Sequence, residues 1–181
     1  MDIKNKKTKT NKKRNNWVFI TIIFTFFISC AMSFISEMVI PNVNVIFCLL
    51  LIVFFIFLGI IFDIIGVAIT TADKKVFHSM SSKKIKGSKK AISLIDKKDK
   101  VSNFCNDVIG DICGVISGSC GLSFAIKMFP NNLLISTILI TGIISALTIG
   151  GKALGKGFAV KKSNDIVFYF AKLLSSFSKN K

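Results

Sequence analysis

The sequence predicts an all-α fold: a polytopic membrane bundle of four transmembrane helices, with a cytosolic basic helical hairpin and a C-terminal amphipathic juxtamembrane helix. Three observations predict it. First, 51% of the 181 residues are hydrophobic and the mean hydropathy is +0.63, more than a water-facing globule of this length carries. Second, the apolar residues gather in four runs near the roughly 20 residues that a helix needs to cross a hydrocarbon core of about 30 Å. Third, the net charge of +16 lies almost wholly between those runs rather than within them.

The first run, Trp17 to Ile35, follows a basic tail at residues 1–16 and opens on Trp17, where an interfacial anchor sits. Its basic start, apolar centre and the small residues Ser29, Cys30 and Ala31 also fit a cleavable signal peptide. The apolar core exceeds the roughly 7–15 residues of such signals, which favours a retained span. Val45 to Ala72 is the longest and most apolar run, interrupted only by Gly59, Asp63 and Gly66. Cys105 to Phe129 is weaker because it contains Asp107, Asp111 and Lys127, and Leu133 to Ile149 is apolar but short. A four-span membrane domain over residues 17–149 follows, with a loop at 73–104 and a basic tail at 150–181.

Orientation comes from lysine. Residues 1–16 carry seven basic residues, Asp73 to Phe104 carry ten and Gly150 to Lys181 carry seven, and only Lys127 lies elsewhere. Four spans with both termini cytosolic put 24 of the 25 basic residues inside a plasma membrane, as the positive-inside rule requires. The same count supports the doubtful third span, because without it the basic tail would face outward. Its polar residues are then expected to face the bundle interior, since a lipid-facing carboxylate at depth costs at least ~2.5 kcal/mol.

Composition excludes other classes. Phe supplies 18 aromatic residues beside one Trp and one Tyr, and Arg14 is the only arginine, so the surface that reads nucleic acid is missing. No nucleophile–base pairing or phosphate-cradling loop is visible, so no enzyme is expected. Cys30, Cys48, Cys105, Cys113 and Cys120 read as small buried residues, an odd number without a CxxC pair, and His78 reads as a solvated side chain at the edge of a lysine-rich segment.

Candidate functional residues lie within the spans. Gly110, Gly114 and Gly118 recur every four residues, a stripe that lets helix backbones approach, either for packing alone or around a polar cavity. Asp107 and Asp111, four apart, share one face of the third helix. Asp63 sits in the cytosolic half of the second span, before Thr70 and Thr71. Carboxylates and hydroxyls at similar depth are the hard oxygen ligands that Mg2+ and other small cations prefer. The alternative is that Asp107 and Asp111 flank a helix N-terminus and stabilise its dipole.

Outside the spans, the segment Ser79 to Lys100 alternates Lys with Ile85, Ala91, Ile92, Leu94 and Ile95 around Gly87. This fits a basic hairpin drawn to an anionic inner leaflet. In the tail, Ile166, Phe170, Leu173, Leu174 and Phe177 recur at helical spacing, with Ser163 as cap and Asp165 in the first turn.

The order of these parts resembles the transmembrane domain of the CorB/CorC and cyclin M (CNNM) magnesium-transporter family, a match running from Ile60 to Phe177. Gly66-Val67-Ala68-Ile69-Thr70-Thr71-Ala72-Asp73 is similar to that family's Glu-Met-Ala-x-x-Ser helix end. Lys83 to Lys100 resembles its cytosolic hairpin and Ile109-Gly110-Asp111 the start of its Ile-Gly-Asn-Asn helix. Gly151-Lys152-Ala153-Leu154-Gly155-Lys156 resembles Gly-Glu-x-x-Pro-Lys. The resemblance implies a domain, usually dimeric, that holds Mg2+ between helices on hydroxyl, Asn and Glu oxygens. Carried over by position, the candidates are Thr70, Thr71 and Asp111, with Asn106 as neighbour. Gly66 stands where the family has its first Glu, and Lys152 where it has another.

Two expectations follow. In one, a bacterial plasma-membrane protein transports or binds a cation, with Asp63 and Asp111 standing in for the missing Glu. In the other, a non-transporting scaffold or regulatory subunit keeps the fold without the ion, and Lys152 pairs with Asp63, Asp107 or Asp111.

Overall fold

A computed structural model describes residues 19–20, 22–31, 33–34, 38 and 44–177. All secondary structure among them is helical. An apolar stretch, α1, covers Ile22–Ala31. The expected bounds of the first span, Trp17 and Ile35, lie outside the described residues, as does the basic tail before them.

Among the described residues, three helices are long and apolar enough to cross a membrane. The first is α2, Val45–Thr71, whose 27 residues extend about 40 Å at the ordinary helical rise. The second runs unbroken from Lys98 to Met128. It comprises α5, Lys98–Asn103, a π-helical segment Phe104–Ile109, and α6, Gly110–Met128. Phe129 then leaves helical geometry, as a residue before proline tends to, and Pro130–Asn132 form a 3-10 turn. The third is α7, Leu133–Lys161, which does not stop at Ile149 as expected but continues through Gly150 and Gly151 for twelve more residues. Large apolar side chains such as Ile46, Leu50, Phe57, Leu134 and Leu154 are exposed along these helices. Apolar residues on every side are what a lipid-facing bundle requires.

The expected hairpin forms from α3, Lys74–Ser82, and α4, Ser88–Asp96. Asp73 starts α3 by accepting the Lys75 amide at 2.9 Å, while its own amide donates to Asn164 Oδ1 at 2.9 Å. At the other end of α3 the Lys84 amide donates to the Ser81 carbonyl and the Ile85 amide to the Met80 carbonyl. This double closure places Lys84 in the left-handed region at φ 56°. The final helix, α8, covers Ser163–Phe177.

Two apolar cores result. One lies within the spans and unites Cys48, Ile52 and Ile56 of α2 with Ile116, Cys120 and Ile144. The other gathers Ala68, Ile69, Phe77, Ala91, Ile95, Ala159, Val167 and Ala171, so that hairpin, tail helix and the ends of α2 and α7 form one unit. The tail helix therefore does more than lie on a surface. Its buried line is Ser163, Val167 and Ala171, with Ile166 and Phe170 beside it, whereas Leu173 from the expected apolar face is exposed. Four cysteines are buried as expected; Cys30 is exposed.

Candidate functional site

Glycines set the distance between the spans. A Cβ built on Gly59 would lie 3.3 Å from Cys113 Cβ, and one on Gly66 would overlap the side-chain oxygen of Asn106. These two contacts fix α2 antiparallel to the second span, with seven residues separating the contact points on each helix. Asp63 shares the helical face of Gly59 and Gly66, and the register sets it opposite the step from Ile109 to Gly110. On the other side, Gly151 packs against Ile60 and Gly155 against Ile64, which runs α7 parallel to α2. Lys152 projects from that stretch, and its Nζ lies 3.2 Å from where a Gly110 Cβ would be.

Asp63, Asn106, Gly110 and Lys152 thus converge on one level of the bundle. Asp63 is 5% exposed, and its Oδ2 has no hydrogen-bond partner. Asn106 donates from Nδ2 to Ser102 Oγ at 3.4 Å, while its Oδ1 is buried without a donor. Among the described residues three buried side-chain polar atoms lack partners, and two of them are these oxygens. Lys152 forms no ion pair with Asp63, Asp107 or Asp111. Its ammonium stands over Gly110 instead of pairing with any of the three.

The π-helical segment explains the local geometry. The Gly110 amide reaches back to the Cys105 carbonyl, widening the helix by one residue where Asn106 must turn toward α2. The small Gly66 then leaves room for the amide group that a side chain would displace.

Several expected site residues are elsewhere. Thr70 and Thr71 are exposed, and both donate to the Val67 carbonyl, at 2.7 and 3.0 Å, closing the end of α2 instead of joining Asp63. Asp107 and Asp111 are also exposed, so the expectation that they face the interior is overturned: the π segment turns Asn106, not Asp107, inward. Nor does either sit at a free helix N-terminus, since the helix already began at Lys98. Within one copy of the chain, Gly110 is buried against Lys152 while Gly114 and Gly118 meet nothing within 4 Å. They line instead an outward groove of about 190 Å3 with Ser117, Thr141, Ser145 and Thr148.

Ser102 and the contact glycines Gly59, Gly66, Gly151 and Gly155 were not among the expected site or packing residues. Gly151 and Gly155 obey the same four-residue spacing as the recognised stripe and were legible by that rule. Ser102 carried no signal, because a serine in a basic loop reads as solvated. No group of three or more His, Cys, Asp or Glu side chains suited to a metal occurs among the described residues, so any cation here relies on amide, hydroxyl and single carboxylate oxygens.

No curated protein and no solved structure matches the chain. The sequence profile of the cyclin M transmembrane N-terminal domain matches residues 50–179, which span α2 from its second turn, the hairpin, both later spans and the tail helix. With well over half of its length matched and the three long apolar helices in place, the chain belongs to the cyclin M transmembrane-domain family.

Proposed function

We propose that this is a cation-linked membrane protein in which Asp63 and Asn106 present oxygens to a small divalent cation, with Mg2+ favoured by the family's relation to magnesium transporters. One observation carries the reading: Asp63 Oδ2 and Asn106 Oδ1 are buried acceptors that nothing among the described residues satisfies. An unpaired buried carboxylate is costly by several kcal/mol, and a cation held by hard oxygens removes that cost. Ser102 stands next to Asn106 as a further oxygen.

A second reading rests on Lys152. Its ammonium stands over Gly110, which the register sets opposite Asp63, and on this reading it serves as a tethered resident cation in a non-transporting scaffold or regulatory subunit. Thermal melting of purified protein with and without millimolar Mg2+ separates the two. A cation at ten times its Kd stabilises the folded form by about 1.4 kcal/mol. The transport-type reading expects a rise in Tm for the wild type that disappears in Asp63→Asn, together with Mg2+ flux into proteoliposomes that the same substitution abolishes. A rise seen only in Lys152→Ala supports the tethered lysine. No rise in any of the three proteins sinks the cation reading.

The lysine distribution supports a plasma-membrane topology of four spans, α1 belonging to the first, with hairpin and tail in the cytosol beside anionic lipid. A membrane-impermeant thiol reagent added to intact cells should label a cysteine placed at Asn131 and miss one at Lys89; the reverse pattern would invert the orientation. A homodimer accounts for the outer face of the second span. Asp107, Asp111, Gly114 and Gly118 all lie there, and a second copy would cover carboxylates that lipid penalises.

A further inference from the structure

Four lysines converge at the far end of the hairpin with no acid among them. A cavity of about 600 Å3 lies between the start of α4 and the end of α8, lined by Lys86, Lys89, Lys90 and Lys172 with Ser93 and Ser175. Among the described residues none of these lysines takes part in an ion pair; Lys74 pairs with Asp96 and Lys162 with Asp165. Asp96, the carboxylate that ends α4, is thus already engaged elsewhere.

The two walls are held in fixed relation. Gly87, at φ 92°, presses on the backbone of Lys172: a Cβ there would lie 3.1 Å from Lys172 Cα and 3.2 Å from its amide nitrogen. Glycine is required twice over, by the left-handed turn and by the approach of two backbones. Below the contact, Ser88 is 1% exposed and donates to the Ile85 carbonyl at 2.7 Å, while Ala91 and Ala171 are fully buried. The lysines therefore project, exposed, from a braced frame, with no carboxylate among the residues that line the cavity.

We propose that this cavity is a binding site for a phosphate oxyanion, which bridges the hairpin to the tail helix. Lysine ammonium groups are point charges that bind phosphate without demanding planar geometry, and the serine hydroxyls add neutral donors. Attraction to an anionic surface in general would be spread over the hairpin, including Lys83 and Lys97, which do not line the cavity. A discrete site depends on the convergent lysines alone. The inference stands apart from the cation reading, since none of its residues touches Asp63 or Asn106.

The phosphate group can come from a lipid headgroup or from a soluble anion, and two arms distinguish them. In the first, the purified full chain in neutral detergent is titrated with inorganic phosphate, and Tm is followed against the same concentrations of chloride. In the second, the chain is reconstituted into phosphatidylcholine vesicles with and without phosphatidylglycerol, and protease cutting at the hairpin turn is timed. A response to inorganic phosphate that phosphatidylglycerol competes away assigns the site to headgroups; a response to phosphate alone assigns it to a soluble anion. The charge-removing pair Lys89→Gln with Lys172→Gln should weaken binding about 30-fold, at about a factor of five for each lysine. Lys89→Arg with Lys172→Arg should retain it, which guards against loss through misfolding. Lys83→Gln with Lys97→Gln should leave binding unchanged. Equal weakening by both glutamine pairs, or no response to either phosphate source in the wild type, overturns the proposal.

Discussion

The two cores of this molecule are built by different rules. Within the spans, α2 meets its neighbours through Gly59, Gly66, Gly151 and Gly155, and the buried side chains are modest in size: cysteine, isoleucine, alanine and glycine. At the hairpin end the centre is Phe77, fully buried among Ile69, Ala91, Val167 and Ala171, and amphipathic helices close around it. The solvent accounts for the difference. Hydrocarbon is as apolar as isoleucine, so helices in lipid gain little by burying large side chains and much by bringing backbones close. Where water is the alternative, burial of a phenylalanine drives association.

The comparison predicts its largest contrast when side chains are truncated. Phe77→Ala removes a fully buried ring from the water-facing core and should cost about 3–5 kcal/mol. Ile144→Ala, in the core of the spans, forfeits packing but little transfer energy, and a loss on the order of 1 kcal/mol is expected. Unfolding of both variants in mixed micelles, with hairpin proteolysis as a local probe, measures the pair. Equal losses would show that the spans pack as a water-soluble core does.

A smaller contrast lies between two glycines. Gly66→Ala pushes Asn106 from its place and should cost about 1–3 kcal/mol, with loss of whatever ion response the wild type shows. Gly114→Ala meets nothing within the chain, so the monomer should be unchanged or up to about 1 kcal/mol more stable through better helix propensity. Cross-linking of Gly114→Leu in bilayers then tests the proposed homodimer face: if the stripe joins two copies, dimers should be lost while folded yield holds. A folded yield that collapses instead would place the stripe inside the single-chain bundle.

The smallest effect concerns the turn between α3 and α4. Lys84 occupies the left-handed position that closes α3, where a side chain is strained, and Lys84→Gly should raise hairpin stability by about 0.5–1 kcal/mol. Hydrogen exchange of the α3 amides would register slower opening; faster opening would mean that the lysine side chain contributes more than its backbone strain costs.

The sequence by itself determined the membrane class, the apolar helices from Val45 onward, the hairpin around Gly87 and the family. Each of these is written in local composition, in runs of apolar residues, blocks of lysine and helical spacing, so no knowledge of packing is needed to read it. Asp63 was legible for the same reason, because a carboxylate inside an apolar run of 27 residues stands out wherever it points. Tertiary structure alone decided which of the other polar residues join it. Asp107 and Asp111 look equivalent to Asn106 in sequence, yet the extra residue in the π turn rotates Asn106 inward and leaves both aspartates on the outer face. Likewise, four-residue spacing marks both Gly110, Gly114 and Gly118 and the pair Gly151 and Gly155, yet within the chain Gly114 and Gly118 meet nothing while Gly59, Gly66, Gly151 and Gly155 pack closely. Spacing defines a face and its period; which face meets a neighbour depends on the rotation of each helix, and that is fixed only when α2, the second span and α7 pack together.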